Sequence, residues 1–571
     1  MRLKLGRLEF WNPGILGSAR RVHPLVGHSI IPTVECLILG VALLLLAAVA
    51  CGCQKGQRAK DGSAALTPPA ELGVAIGSLA EMVEPRQVAV EGYGLVGGLP
   101  GTGSPYCPPE IRAYLKQYVA TQVPNSRTNV DELIDSKNTA VVLLEAMIPA
   151  TPSKGDRFDV RVALLPGSDA TSIQGGWLYK ADLVVRGTFG AQTRPLATVD
   201  GPVFVNPIGA TDAGPRSGYI LGGGRALYEY TAMLRLRKPN YRAASVIRNR
   251  LSERYGPGIA QAVSPGDIEV RIPADYRRRK LRFIAMVPAT FLEVTNELTV
   301  ARINTYVDRL AGSGEKENSE VVLEAIGQES CARLGALLKA PEAEVRLRAG
   351  RCMLGLGDDR GLAPLRDMTF DATSPYRLEA LEAIMVCARR DEAAAVGQRL
   401  LRDEDVHVVL AAYDQLREMG DVAVTRDIIG RSFLLEQVVQ SSHKAIYVSR
   451  SGDPRVVLFG APLRCRDNLF VETPDRAVVL DARAGQGYVS VIRQRATRPG
   501  VIGPIRSSPD VGDLVRTLGG EAIAGPSGQL SAAGVPYTQV IALLEQLCAK
   551  DAVAATFWVG PLPKIDLPVK K

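Results

Sequence analysis

Gln87–Ser104 reads QVAVEGYGLVGGLPGTGS. A short apolar strand candidate runs into a stretch holding six glycines and one proline. Gly92, Gly94 and Gly97 stand in G-x-G-x-x-G spacing, which fits a dinucleotide site, a phosphate loop or a tight backbone turn in a scaffold. A dinucleotide site needs a helix opening at the third glycine, so that its N-terminus holds the pyrophosphate. Here Gly97 is followed by Gly98, Leu99, Pro100, Gly101, Thr102, Gly103, Ser104 and Pro105, and no helix starts in such a run. A phosphate loop needs Lys and Ser/Thr after its last glycine; Gly103 is followed by Ser104 and Pro105, so the cationic partner is missing. The remaining reading is a structural turn formed by Gly92, Gly94, Gly97, Gly98, Gly101 and Gly103, where the absent Cβ permits positive φ and close chain approach. Tyr93, Leu95 and Val96 are expected to pack inward.

Working back toward the N-terminus, Arg2, Lys4, Arg7, Arg20 and Arg21 make a positive leader, and Cys36–Ala50 (CLILGVALLLLAAVA) is an uncharged apolar run. That run is short for a spanning helix and fits a signal h-region. Ala48-Val49-Ala50-Cys51-Gly52-Cys53 follows, and small residues before a cysteine resemble a bacterial lipobox. Cys51 is the first candidate for lipidation and Cys53 the second; a plain signal peptide or a short anchor is the alternative. Residues 1–53 are thus read as leader and 54–70 as a polar flexible tether.

The chain has 571 residues, 46% of them hydrophobic, which suffices for several domains with real cores. The formal charge of +8 is too dilute over this length to argue for nucleic acid. Cys107, Cys331, Cys352, Cys387, Cys465 and Cys548 contain no C-x-x-C pair, so a zinc ribbon is not supported. The three on apolar helical patterns, Cys331, Cys352 and Cys387, read as small core residues. Beyond the leader only His407 and His443 remain, little material for histidine catalysis or metal binding. Cys107 is the one nucleophile candidate, without a nearby histidine, and no G-x-S-x-G is present. The expectation is a protein that is not an enzyme and has no cofactor.

Downstream of the glycines, Glu110–Val123 has helical spacing, and Asn138–Pro149, Asp156–Leu165, Ser172–Tyr179, Ala181–Val185 and Thr198–Asn206 read as strands. Leu234–Lys238 is a strand and Ala243–Tyr255 a helix stopped by Gly256 and Gly258. Asp267–Pro273 and Leu281–Val287 flank a basic run, Arg277–Lys280, read as a solvated loop or a contact for an anionic polymer. Near Glu315 the texture becomes alanine–leucine-rich and helical up to about Gly430. Val345–Ala349, Tyr376–Ala380 and Val406–Leu410 recur at spacings of about 30 residues, each opening a helix, with Gly357-Asp358 and Gly420-Asp421 marking the turn to a second helix. This is similar to a HEAT-like repeat, in which helix pairs stack because one pair cannot bury its own apolar face. His407 falls at a helix-surface position. After it, Ala445–Val448, Arg455–Phe459, Asn468–Val471, Ala477–Leu480 and Gly487–Arg493 are strand candidates, then Tyr537–Lys550 a helix and Ala552–Val559 a last strand.

Glu91–Ser104 (EGYGLVGGLPGTGS) resembles the N-terminal signature of the bacterial flagellar P-ring protein family. The likeness continues in order through Asn138–Pro149, Lys154–Val162 (KGDRFDVRV, with Lys154 where proline is usual), Asp169–Leu178 (DATSIQGGWL), Leu234–Tyr255, Asp267–Pro273 and Gly534–Val559. The resemblance implies an α+β multidomain protein with β-rich P-ring-like domains and an inserted all-α HEAT-like repeat domain. The boundaries are 71–314 for the P-ring-like region, 315–435 for the repeats and 436–571 for a C-terminal β-rich region. It implies a structural subunit of the periplasmic ring around the flagellar rod, a bushing for rotation. Its partners would be further copies of itself, the rod and L-ring proteins and peptidoglycan, with no nucleic acid. Such a protein sits in the periplasm at the flagellar basal body, and lipidation would add an outer-membrane anchor. The alternative is an envelope lipoprotein adaptor that uses the same domains and repeats to bind cell-wall or protein partners.

Overall fold

The computed structural model describes residues 70–122, 129–188, 193–208, 215–312, 314–494, 501–523 and 530–567. The leader, the tether up to residue 69, and both candidate lipidation positions, Cys51 and Cys53, lie outside the described residues.

The chain enters through α1 (Ile76–Leu79) and β1 (Ala80–Met82), then forms β2 (Val88–Gly97) from the glycine stretch. With β3 (Ala140–Ile148), β4 (Arg157–Leu164), β5 (Trp177–Val185), β6 (Ala197–Pro202) and β7 (Ser217–Ala226) it makes a closed antiparallel barrel of order β2-β3-β4-β7-β6-β5. Closure removes the free edges an open sheet would leave. Alternation places Val90, Val96, Val142, Leu144, Val160, Val162, Leu178, Leu183, Val199 and Ile220 in one interior. On the outside, α2 (Pro109–Gln122) and α3 (Val130–Ile134) cover the β2–β3 wall through Ile111, Leu115 and Ile134. Of the three residues expected to pack inward, only Val96 faces the barrel interior; Tyr93 and Leu95 point outward beneath these helices. Strand β7 is absent from the sequence reading because Gly222–Gly224 interrupt its apolar pattern. The strand tolerates them because a Cβ on Gly224 would sit 2.5 Å from the Phe158 ring.

β8 (Ala232–Leu236), β9 (Ala260–Ala262) and β10 (Asp267–Val270) join β1 in an antiparallel sheet of order β1-β8-β10-β9. It is covered by α4 (Tyr241–Tyr255) and α5 (Lys280–Ala289), whose Ile247, Leu251, Phe283 and Val287 share a core with Leu234, Ile268 and Val270. Asn240 caps α4 by accepting from the amides of Arg242 and Ala243, and Gly256 ends it. The basic run is not a loop. Residues Ala274–Arg279 form a 3-10 turn that passes directly into α5.

The helical block contains α6 (Asn296–Ala311), α7 (Lys316–Ile326), α8 (Cys331–Leu337), α9 (Ala343–Gly355), α10 (Leu362–Phe370), α11 (Arg377–Cys387), α12 (Arg390–Leu400) and α13 (Val406–Met419). The three recurring pentapeptides lie at the starts of α9, α11 and α13. The textural change at Glu315 falls between α6 and α7, which share one core. Gly420 ends α13 in the left-handed conformation, and the chain goes on into a strand rather than a second helix.

That strand is β11 (Thr425–Ile429), followed by β12 (Phe433–Val438), β13 (Ala445–Val448) and β14 (Arg455–Phe459). A second sheet is built from β15 (Leu469–Glu472), β16 (Val478–Ala482), β17 (Val489–Gln494) and β18 (Val501–Ser507), in that order. Then come α14 (Val511–Gly519), α15 (Tyr537–Ala549) and β19 (Thr556–Val559). β19 returns to the first sheet, whose order is β11-β12-β14-β13-β19. Both sheets and both helices share one core, and it also takes in Phe204 and Leu221 from the barrel region.

Candidate functional site

Six glycines were assigned to one turn; the structure divides them. Gly92, Gly94 and Gly97 lie within strand β2, not in a turn. A Cβ on Gly94 would come within 2.8 Å of Leu178 and 3.2 Å of Leu144, so its absence lets the barrel interior close. Past the strand, Gly98 and Gly101 have φ of +77° and +76° and carry the turn. Gly103 is a close-approach position, its missing Cβ only 2.1 Å from the Thr139 carbonyl oxygen.

The amides of this loop have internal partners. Leu99 N donates to Asn138 O, Gly101 N to Asn138 Oδ1 and Leu99 O, Gly103 N to Lys137 O, and Ser104 N to Thr139 O. Thr102 Oγ1 donates to Ser172 O at 2.9 Å, and Ser104 Oγ to Asp169 Oδ1 at 2.7 Å. The Ser104 hydroxyl holds the Asp169 carboxyl below the usual carboxylate range. The loop is therefore stitched to the entry of β3 and to Asp169–Ser172, and the amides of Leu99, Gly101, Gly103 and Ser104 are engaged by protein acceptors, where a phosphate loop would turn such groups to its ligand.

Raw material for chemistry is sparse. Burial pushes the Cys107 thiol up, the opposite of what a nucleophile needs. Burial likewise raises Cys465 and Cys548 to about 12. Cys331 and Cys352 are buried in helices and Cys387 is half-buried. His407 is exposed at the start of α13. Among the described residues no group of three His, Cys, Asp or Glu is placed to hold a metal. The cavity lined by Gly176, Phe204, Leu221, Ser432 and Tyr537 holds about 40 Å³, far below what a small-molecule site requires.

What the geometry concentrates instead is charge at the seams between the β regions and the helical block. The basic run is split: Arg277 and Arg278 are exposed, while Arg279 and Lys280 are partly buried. Arg278 donates to Met385 O at 2.9 Å, Arg279 to Glu324 Oε1 and Gly355 O at 2.8 Å, and Lys280 to Thr151 O at 2.7 Å. Arg282 reaches Glu324 Oε2 at 2.6 Å and Glu320 Oε1 at 3.0 Å. Glu320, fully buried on α7, also meets Arg351 at 2.6 Å and Arg348 at 3.1 Å. Burial alone would raise its pKa, but Arg282, Arg351 and Arg348 outweigh it and hold the carboxyl below the usual range. Arg279 and Lys280 depart from the solvated loop expected of the basic run, whereas Arg277 and Arg278 are exposed.

A second seam joins three regions. Glu436, buried on β12, accepts from the Tyr413 hydroxyl, from Arg417 at 3.1 Å and from Arg426 at 2.7 Å. Arg417 continues to Asp453 at 2.9 Å, and Asp453 meets Arg157 of the barrel at 2.7 Å. Asp159 accepts from the amides of Gly222 at 2.7 Å and Gly452 at 3.0 Å. Removing one partner from such a buried set is strongly destabilising, because the others stay charged without compensation. Sequence reasoning missed these residues. Their signal was acids within apolar runs: Glu320 and Glu324 in EVVLEAI, and Glu436 in FLLEQV.

A family model described as flagellar P-ring protein matches residues 75–306. The flagellar P-ring protein of Anaeromyxobacter sp. (strain K) is 30% identical over 251 residues, 41% of this chain and 65% of its own length. That of Helicobacter pylori (strain J99) is 31% identical over 230 residues, 38% of this chain and 61% of its own. Flagellar P-ring protein 1 of Photobacterium profundum is 32% identical over 222 residues, 35% of this chain and 56% of its own. The chain thus spans less than two thirds of the length of these curated relatives.

Proposed function

We infer that this chain, flagellar P-ring-like over residues 75–306, is a structural subunit of a flagellar basal-body ring, or of a close variant of it, extended by a helical block. One observation carries the reading: the matched span takes in the whole barrel and the sheet β1-β8-β10-β9 with its helices, a folded unit rather than a fragment. The seams support it mechanically. A ring around a rotating shaft must transmit load without its parts shifting, and buried ion pairs with several hydrogen bonds hold modules in one orientation.

The matched span ends at residue 306, within α6, and leaves the rest of the helical block and the sheets after it outside. We take the block as a HEAT-like protein-facing layer fixed to the ring body, with the periplasm as compartment and rod, L-ring protein and peptidoglycan as neighbours. Among the described residues no helix is long and apolar enough to cross a membrane. On this reading Cys51, or else Cys53, carries a lipid that tethers the ring subunit to the outer membrane.

Deleting the gene should abolish swimming, and negative-stain microscopy of basal bodies should lose a ring; unchanged motility and intact basal bodies would refute the reading. Cys51→Ala should release the protein from the membrane fraction, with Cys53→Ala as control. Unchanged fractionation in both would defeat the anchor alone.

A further inference from the structure

We propose that the sheet β11-β12-β14-β13-β19 continues from one copy of this chain to the next, β19 of one subunit pairing in parallel with β11 of its neighbour. This rests on the ring reading above and names the surface that would close the ring.

β11 is antiparallel to β12, β12 is parallel to β14, β14 is antiparallel to β13, and β13 is parallel to β19. The two edge strands therefore run the same way. A second copy placed beside the first without inverting it brings β19 alongside β11 in the same sense, which is the head-to-tail contact that generates rings when the rotation closes. Sheet twist supplies a rotation at every such junction.

The hydrogen-bonding groups are also placed for it. Leu434 N donates to Pro454 O, so the amides of residues 434 and 436 turn toward β14, and those of 433, 435 and 437 toward β11. Register then assigns Thr425, Asp427 and Ile429 to the β12 side and leaves Arg426 and Ile428 with their amides and carbonyls facing out. On the other edge Thr556 N and Gly560 N donate to Lys444 O and Val448 O, which turns Phe557 and Val559 outward. Full overlap sets Phe557 opposite Asp427, its N–H donating to Arg426 O and its C=O accepting from Ile428 N.

Proline, lysine and bulges, which keep many sheet edges apart, are missing from both edges, β11 and β19. The two charges on β11 are engaged internally, Arg426 with Glu436 and Asp427 with Arg516. Ile428 is 76% exposed and Val422, just before the strand, 87%. Beside this edge lies an open groove of about 920 Å³ lined by Asp427, Ile428, Gly430, Arg516 and Glu521.

The test uses the full chain. Ile428→Pro and Val559→Pro each delete one outward N–H without touching a ladder bond inside the subunit, a placement that edge strands tolerate. Wild type should form ring particles by negative stain, and each variant should lose them while keeping its melting transition. Variants that assemble like wild type would overturn the proposal. Thr425→Cys with Ala555→Cys, opposite each other in the same register, should give a disulfide ladder beyond the dimer under oxidation, absent from each single variant and from wild type. This second measurement decides the matter if a proline variant fails to fold. Particles without a ladder would overturn the edge assignment and leave the ring reading standing. Neither particles nor ladder from wild type and the double variant would sink both.

Discussion

Two alanine substitutions two residues apart should behave very differently. At Gly101 a Cβ meets nothing within 4 Å, and only the φ of +76° resists it. The left-handed region costs a non-glycine residue about 1–2 kcal/mol, and the stiffer unfolded chain returns about 0.4–1 kcal/mol. Gly101→Ala should therefore cost about 1 kcal/mol. At Gly103 the Cβ would lie 2.1 Å from Thr139 O, so a retreat of more than about 1.3 Å is needed to reach ordinary contact. Thr139 cannot retreat freely. It is buried, its carbonyl accepts from Ser104 N at 2.9 Å, and its hydroxyl donates to Leu133 O and Ser136 O. Gly103 N itself donates to Lys137 O at 2.8 Å. Losing two backbone hydrogen bonds at about 1 kcal/mol each, with overpacking of about 1–3 kcal/mol, gives about 3–5 kcal/mol for Gly103→Ala. Urea denaturation of both variants by circular dichroism, with m-values compared, measures the difference. Equal losses at the two positions would refute the view that Gly103 is required for close approach rather than for φ.

Glu320→Gln should cost about 3–5 kcal/mol, because it leaves Arg282, Arg348 and Arg351 around an uncharged amide; thermal melts at neutral pH read it. The wild-type carboxyl has a folded pKa below its unfolded one, so its contribution is complete above the ordinary glutamate range and disappears as pH falls through the folded value. The gap between wild type and Glu320→Gln in melts should accordingly be widest at neutral pH and narrow once the pH falls below the ordinary glutamate range. Tyr413→Phe removes the hydroxyl that donates to buried Glu436 and should cost about 1.5–3 kcal/mol in the same assay. NAD or ATP, which at 100 times Kd would add about 2.7 kcal/mol to a protein that bound it, should leave the melting temperature unchanged.

The residues differ in how plainly they announced this arrangement. Ala445–Val448 and Arg455–Phe459 were legible as β13 and β14 to the residue, because glycine, proline and aspartate turns punctuate short β-branched runs. β11 and β12 were not, since TRDII and FLLEQV continue the aliphatic texture of the helices before them and only tertiary pairing makes them strands. Arg279 looked like surface charge because its acceptors, Glu324 and Gly355 O, are remote in sequence. The glycine stretch could be stripped of its nucleotide readings by the residues after Gly97, which cannot open a helix. Its division into strand, turn and close contact depends on Leu178, Thr139 and Asn138, which no local pattern connects to it.

The place of β19 has a consequence for how the protein is made. The barrel needs nothing beyond residue 226, and the sheet β1-β8-β10-β9 nothing beyond residue 270, so both can form before the C-terminal part of the chain is in place. The sheet that begins at β11 waits for Thr556–Val559, and until then β13 lies open at its edge. A chain short of its last strand thus holds a finished front half and an unfinished back half. A product truncated before residue 556 would lack the strand that covers β13, which makes it a candidate for degradation rather than incorporation.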